Sequence, residues 1–153
     1  MAIVVPESRS YELPEEGQQQ AVLAQVEVLP DEEVEFKNEK TGEMKTRTVH
    51  PCYFHFELSQ EGKDGKRLTA RIKLNLSRSD QSNLWQFLQD WKVKEFFEDP
   101  TFDLETLVGR NANLTISHTF VQAKNKTYAN IKAILPLSAK QKDVLKVRDF
   151  VPF

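Results

Sequence analysis

The stretch from Leu68 to Leu76, LTARIKLNL, alternates apolar and polar residues without a break. Apolar side chains occupy every second position, and charged or polar side chains fill the positions between them. Successive side chains of a β-strand point to opposite faces of a sheet, so this pattern predicts a strand with one buried and one exposed face. The exposed face then carries Arg67, Arg71 and Lys73 close together.

Four further segments predict strands by β-branched content or alternation, and they are residues 21–29, 52–59, 112–121 and 127–135. A helix is predicted after the third strand, because Leu84, Phe87, Leu88 and Trp91 recur at helical spacing. Ser79 is its expected N-cap. Residues 31–50 are charged and contain Thr41-Gly42 between two short alternating runs, which predicts a hairpin or a long β-loop.

These elements predict a mainly β protein, a five-stranded OB-fold-like barrel with a helix between strands 3 and 4 and a charged β-loop insertion. Other small barrels and α+β sandwiches share this order of elements, and they stay open as alternatives. We expect one domain over residues 1–137, with an irregular lead-in over 1–19, followed by a polar tail over 138–153.

The chain has 153 residues, 39% of them apolar, which suits a single domain with a core. A single cysteine, Cys52, fits a reducing compartment, and neither a signal peptide nor a membrane span is expected from the sequence. We therefore expect a cytoplasmic protein.

Charge divides unevenly along the chain. Residues 1–61 carry 5 basic and 13 acidic side chains, whereas residues 62–153 carry 16 basic and 10 acidic ones. Such an asymmetry is typical of proteins that contact nucleic acid, although it also arises from ordinary variation in surface charge.

Catalysis has little support in the sequence. His50, His55 and His118 form no metal-binding motif, and Cys52 falls on a predicted inner face. There is no phosphate-binding glycine loop and no nucleophile elbow. We expect a protein that is not an enzyme and has neither a cofactor nor a metal, while a hydrolase of unfamiliar type stays an alternative.

Single-stranded DNA is bound by cations along its backbone and by aromatic rings that stack on its bases. Both kinds of side chain occur on the predicted outer faces and turns of the barrel. The candidate nucleic-acid-binding residues are Tyr53, Arg67, Arg71, Lys73, Lys124, Lys126, Tyr128 and Lys132.

Two runs of sequence carry a resemblance to a known group. Residues 107–118, LVGRNANLTISH, and residues 126–137, KTYANIKAILPL, resemble the C-terminal half of small single-stranded DNA-binding-like proteins from phages and mobile elements. Residues 76–84 and Asp90-Trp91 are similar to the helix entry of that group. The resemblance implies an OB-fold and a role in DNA replication or recombination. Arg110 stands where the group often has lysine.

The chain ends in DFVPF, and this tip resembles the C-terminal tip of bacterial single-stranded DNA-binding proteins. In that family, partner proteins grip the terminal phenylalanine and its carboxylate. The resemblance implies that Asp149, Phe150, Pro152 and Phe153 bind replication or recombination proteins. Alternatively, the tip folds back onto its own or a neighbouring barrel.

The sequence thus predicts a protein that coats single-stranded DNA and recruits partners through its C-terminal tip. The alternative is a protein-interaction module of a phage or mobile element that binds no DNA. RNA remains possible as a ligand, because stacking and phosphate contacts serve both nucleic acids. Homo-oligomers are also possible.

Overall fold

The computed structural model describes residues 12–138, 140–141 and 144–152. The chain is mainly β, as predicted. The strands are β1 (Gly17–Val28), β2 (Glu32–Lys37), β3 (Met44–Val49), β4 (Pro51–Glu61), β5 (Arg67–Asn75), β6 (Asn111–Val121) and β7 (Lys126–Leu135). The helices are α1 (Asn83–Asp90) and α2 (Lys94–Glu98), with short 3-10 turns at Leu104–Leu107 and Gln122–Lys124.

Five strands form one antiparallel sheet in the order β5-β4-β1-β6-β7. The two edge strands, β5 and β7, approach each other without hydrogen-bonded pairing in the described part of the chain. Helix α1 contacts both of them. The predicted five strands are therefore confirmed as a sheet, and this sheet is open between β5 and β7.

The sheet buries the alternating apolar side chains that the sequence predicts. Phe54, Phe56 and Leu58 of β4 are fully buried, and Leu74 of β5 is nearly so. Burying such a side chain contributes about 1.5–3 kcal/mol. Trp91 is also fully buried, as predicted, and its indole N–H donates to the carbonyl of Asn111 at 3.0 Å. The end of α1 is thereby fixed to the sheet.

The predicted hairpin insertion is confirmed. Strands β2 and β3 pair with each other from Glu32 opposite Val49 to Lys37 opposite Met44, as a separate two-stranded sheet. The turn between them contains Gly42 at φ 72°, a left-handed conformation that favours glycine. We call this pair of strands the β2–β3 hairpin. It connects β1 to β4, and it lies beside the end of β5, where Glu32 contacts Lys73.

Two boundaries differ from the prediction. Strand β1 begins at Gly17, inside the expected lead-in, because residues 17–20 pair with β6. The N-cap of α1 is Ser82 rather than Ser79, since the hydroxyl of Ser82 accepts a hydrogen bond from the N–H of Trp85 at 3.1 Å. Ser79 instead accepts from the N–H of Ser82 in the turn before the helix. No helix among the described residues has the length and apolar character needed to cross a membrane.

Candidate nucleic-acid interface

Three of the predicted residues come together on the outer face of β4 and β5. Tyr53 lies directly opposite Lys73, and Arg71 lies two pairs further along, opposite His55. Side chains of opposite residues on antiparallel strands share a face. The Arg71 guanidinium lies over the Tyr53 ring, 4.2 Å from its centroid. We call Tyr53, Arg71 and Lys73 the β4–β5 patch. It offers a ring and two cations to a ligand.

Lys73 of this patch already has an acidic partner. Its Nζ lies 2.8 Å from Oε1 of Glu32 on the β2–β3 hairpin, and both side chains are about half exposed. The hydrogen bond to Glu32 raises the pKa of Lys73 above its ordinary value. The lysine therefore stays charged at neutral pH, and a neighbouring carboxylate neutralises it.

Arg67 has a different environment from the other two cations of β5. Its Nη1 donates to Oε2 of Glu57 at 2.9 Å and to the carbonyl oxygen of Lys146 at 2.7 Å. Its backbone N–H donates to Asp149 at 3.0 Å. Arg67 therefore holds the C-terminal segment of the chain, and its guanidinium is engaged there.

Lys124, Lys126 and Tyr128 form a second group at the turn between β6 and β7. The Nζ of Lys126 lies 5.2 Å from the centroid of the Tyr128 ring, and Tyr128 pairs with Thr119. We call these three residues the β6–β7 patch.

The two patches lie at opposite ends of β1. The pairing of β6 with β1 ends at Gly17, and Thr119 lies beyond that end, whereas Tyr53 pairs with Glu27. Glu27 lies ten residues along β1 from Gly17, or about 33 Å of strand.

Lys132 joins neither patch. A bulge in β7, opposite Thr115 and Ile116, interrupts the alternation that would place Lys132 on the face of Tyr128. Lys132 instead lines a cleft between β5 and β7, where Ile72 and Phe87 also lie. It is exposed at the edge of the sheet.

The described part of the polar tail crosses the outer face of the sheet. Residues 144–152, which we call the C-terminal segment, are held there first by Asn111 of β6. The Leu145 N–H donates to Asn111 Oδ1 at 2.8 Å, and Asn111 Nδ2 donates to the Leu145 carbonyl at 2.9 Å. Both bonds involve the main chain of the segment, so they would form with most residue types at this position.

Glu57 of β4 holds the other half of the C-terminal segment. Its carboxylate is fully buried and accepts from the N–H groups of Arg148 at 3.0 Å, Asp149 at 2.6 Å and Phe150 at 2.8 Å. Arg67 adds a fourth donor. Burial alone raises the pKa of Glu57, but these hydrogen bonds outweigh it, and the pKa lies below its ordinary value.

Phe150 covers His55, which lies on the outer face of β4. The two ring centroids are 5.6 Å apart, and His55 is only 3% exposed. Its Nε2 lies 2.9 Å from Oε1 of Glu27, and its ring lies 5.7 Å from that of Tyr53. The C-terminal segment therefore reaches the β4–β5 patch.

The predicted partner-binding tip is divided by this docking. Asp149 and Phe150 are bound to the sheet, whereas Val151 and Pro152 are exposed. Phe153 lies outside the described residues. Asp149 and Phe150 therefore follow the alternative in which the tip folds back onto the chain's own sheet.

Sequence reasoning missed Glu57 and Asn111 as binding residues. Alternation places Glu57 on the outer face of β4, beside His55 and Tyr53. A carboxylate in the middle of a face predicted to be cationic was the signal that could have identified Glu57 as a binding residue. Its partners are backbone N–H groups about 90 residues later in the chain, which no side-chain pattern marks.

The described residues offer little for nucleophilic or metal chemistry. Cys52 is buried on the inner face of β4, and burial raises its pKa to about 11, so the thiol stays protonated at neutral pH. No group of three or more His, Cys, Asp or Glu side chains that could hold a metal ion occurs in the described parts.

Comparison with protein-family models finds no match to this chain, and comparison with curated proteins finds none either. The similarity of residues 107–137 to phage and mobile-element proteins therefore stays a prediction.

Replacing Glu57 with glutamine tests whether the buried carboxylate holds the C-terminal segment. Glu57→Gln removes the charge that three backbone N–H groups share, and hydrogen bonds to charged groups contribute about 1.5–3 kcal/mol. We expect amide exchange at Arg148, Asp149 and Phe150 to accelerate at least about tenfold, measured by NMR. Glu61→Gln is the control, because Glu61 is exposed and binds only the Arg148 side chain among the described residues. Equal exchange in both variants would contradict the assignment.

The docking of the segment should also depend on pH. Because the pKa of Glu57 is lowered by folding, its contribution to stability is complete above the unfolded value of about 4.3 and is lost as pH falls through the lower folded value. Below that pH, the amide chemical shifts of Asp149 and Phe150 should move to those of a released segment. Leu114, deep in the sheet, serves as the control for global unfolding. Shifts that stay constant until Leu114 also changes would reject this link.

Proposed function

We propose that this chain is an OB-fold protein that binds single-stranded DNA in replication or recombination. Support for the fold comes from the strand order β5-β4-β1-β6-β7, from the position of α1 between β5 and β6, and from the approach of the two edge strands. A partly open five-stranded barrel of this type presents its ligands mainly on its second and third strands, which here are β4 and β5.

The observation that carries the proposal is the β4–β5 patch. Arg71 and Lys73 contact phosphates, and the Tyr53 ring stacks on a base. Stacked bases contribute about 1–3 kcal/mol each, and OB folds take roughly 4–16 nucleotides. The Arg71 guanidinium, already stacked on the ring, can also pair with a phosphate at its edge.

The β6–β7 patch gives the DNA a second place to bind. Lys124 and Lys126 supply charge there, and Tyr128 supplies a ring. The C-terminal segment crosses the face between the two patches, and the Glu57 carboxylate lies beneath it. A strand that runs over the whole face and a docked segment therefore exclude each other.

Competition between DNA and the docked C-terminal segment also controls partner recruitment. While the segment is docked, Val151 and Pro152 are the described residues of the tip that another protein can reach. When DNA occupies the centre of the face, Asp149 and Phe150 are released as well and extend the surface that a partner binds. The proposed partners are replication or recombination proteins.

A second candidate function has its own supporting observation. Asn111 and Glu57 bind the main chain of an extended peptide, which a nucleic acid cannot imitate. This chemistry favours a protein-interaction module. Filter binding at low salt separates the two functions, because a module of that kind would retain neither DNA nor RNA oligomers.

Removing the cations of the β4–β5 patch tests DNA binding. We expect the Arg71→Ala, Lys73→Ala variant to bind a labelled oligo-dT at least about tenfold more weakly at low salt. The slope of log affinity against log salt should also fall by roughly 1.4, at about 0.7 for each phosphate contact. Fluorescence anisotropy of the oligomer is the measurement, since Trp91 is buried and Trp85 packs on Phe97.

The control for this pair is Lys37→Ala, Lys40→Ala, which removes the same charge from the far part of the β2–β3 hairpin. It should leave the affinity within about twofold. If both double variants bind oligo-dT as wild type does across the salt series, the β4–β5 patch is not the DNA site. An rU oligomer in parallel reports the preference between DNA and RNA.

Deleting Pro152-Phe153 tests recruitment. We expect the shortened chain to keep its affinity for oligo-dT and to lose the capture of replication proteins in a pull-down. Capture by the full chain should increase when oligo-dT is added. The Glu57→Gln variant should capture without DNA, because its segment is already released. Equal pull-down by the full and shortened chains would reject the tip as the recruiting element.

A further inference from the structure

A cleft of about 340 Å³ opens beside the β4–β5 patch, between the β2–β3 hairpin and the end of β5. Val34 and Arg47 line it from the hairpin, and Lys73 and Asn75 line it from β5. Lys73 belongs both to the cleft and to the β4–β5 patch. A ligand bound on Tyr53 can therefore continue into the cleft without crossing the C-terminal segment.

The two sides of the hairpin carry different side chains. Its pairing places Val34 opposite Arg47, and Phe36, two residues along the same strand, on the same side as both. The Arg47 guanidinium lies 5.7 Å from the centroid of the Phe36 ring, which is 40% exposed. Glu33 and Glu35 alternate to the opposite side. The side towards the cleft thus carries a ring and a guanidinium, while these two carboxylates face away.

Two of the side-chain amides in the cleft, those of Asn75 and Asn83, are committed to the fold. Asn75 accepts from the N–H of His50 at 3.0 Å, and Asn83 accepts from the N–H of Asn75 at 2.8 Å. The charged side chains that line the cleft are Arg47, Lys73 and Glu32. With two cations against one carboxylate, the cleft suits an anionic ligand.

Glu32 occupies the place that such an anion would take. Its Oε1 lies 2.8 Å from the Lys73 ammonium, in a pair that is about half exposed to solvent. Ion pairs with this exposure contribute little to stability and are weakened by salt. A phosphate can therefore replace the carboxylate without disturbing the fold.

We propose that this cleft is a further subsite for single-stranded nucleic acid, with Lys73 as the group shared between the cleft and the β4–β5 patch. The inference rests on the proposed function and extends it to the hairpin. A phosphate displaces Glu32 from Lys73, the next phosphate pairs with Arg47, and a base stacks on Phe36. The site then consists of two ring–guanidinium pairs, Tyr53 with Arg71 and Phe36 with Arg47, on either side of one lysine.

Glutamine at position 32 gives the most specific test, because it should strengthen binding. Glu32→Gln removes the group that competes with phosphate for Lys73, and we expect the affinity for oligo-dT at low salt to rise about threefold. The matched control is Glu33→Gln, which makes the same charge change on the opposite side of the hairpin and should change affinity by less than about 1.5-fold. In a Lys73→Ala background, the gain from Glu32→Gln should disappear.

Alanine at position 47 tests the far end of the subsite. Arg47→Ala should weaken binding about fivefold and lower the salt slope by roughly 0.7. Lys37→Ala, on the other side of the same hairpin, should do neither. Circular dichroism verifies that each variant is folded.

The outcomes separate this inference from the function on which it rests. If the wild-type chain binds no oligomer at low salt, the proposed function itself fails. If Arg71→Ala weakens binding while Glu32→Gln matches Glu33→Gln and Arg47→Ala matches Lys37→Ala, DNA binding stands and the cleft subsite is overturned.

Discussion

The Glu57 carboxylate is the group on which the outer face of this protein depends. A carboxylate without partners in such a buried position would cost several kcal/mol or take up a proton. Here three backbone N–H groups and the Arg67 guanidinium surround it, so it stays charged in the middle of a sheet. Because those N–H groups belong to residues 148–150, strand β4 and the end of the chain stabilise each other. The C-terminal segment is therefore part of the fold.

A buried negative charge also determines which ligands the face can bind. Main-chain N–H groups satisfy Glu57, whereas phosphate oxygens carry no proton to donate and are repelled by it. The centre of the face thus suits a polypeptide, and the two patches at its ends suit a polyanion. In the proposed function, DNA therefore binds first at the two patches and enters the centre only when the segment leaves, because the Arg67 guanidinium then loses its contact with Lys146 and can meet a phosphate beside Glu57. The β2–β3 hairpin offers a route that avoids the centre altogether.

Local patterns in the sequence predicted the strands well, but they did not predict which groups elsewhere in the chain contact them. The alternation of Leu68–Leu76 predicted β5 to within one residue, because the buried face of a strand must repeat every second position. The N-cap prediction at Ser79 was wrong, because several serines precede α1 and only the folded turn decides among them. Alternation also assigned Glu57 to the correct face. It could not reveal what covers that face, since the docking uses backbone groups that every residue possesses.

The charge asymmetry of the sequence has a second explanation in the structure. Acidic residues of the first 61 positions meet cations of the later part in the pairs Glu57–Arg67, Glu32–Lys73 and Glu61–Arg148. These ion pairs neutralise part of the charge difference between the two parts of the chain. The net charge of each part therefore overstates the charge that a ligand can reach. What distinguishes a binding surface from internal compensation is a ring held against a guanidinium near solvent, as in Tyr53–Arg71 and Phe36–Arg47. Stacking and phosphate pairing can occur together at such places, and both of them flank Lys73, so the proposed binding of nucleic acid depends on that lysine and its exchangeable partner rather than on the overall charge.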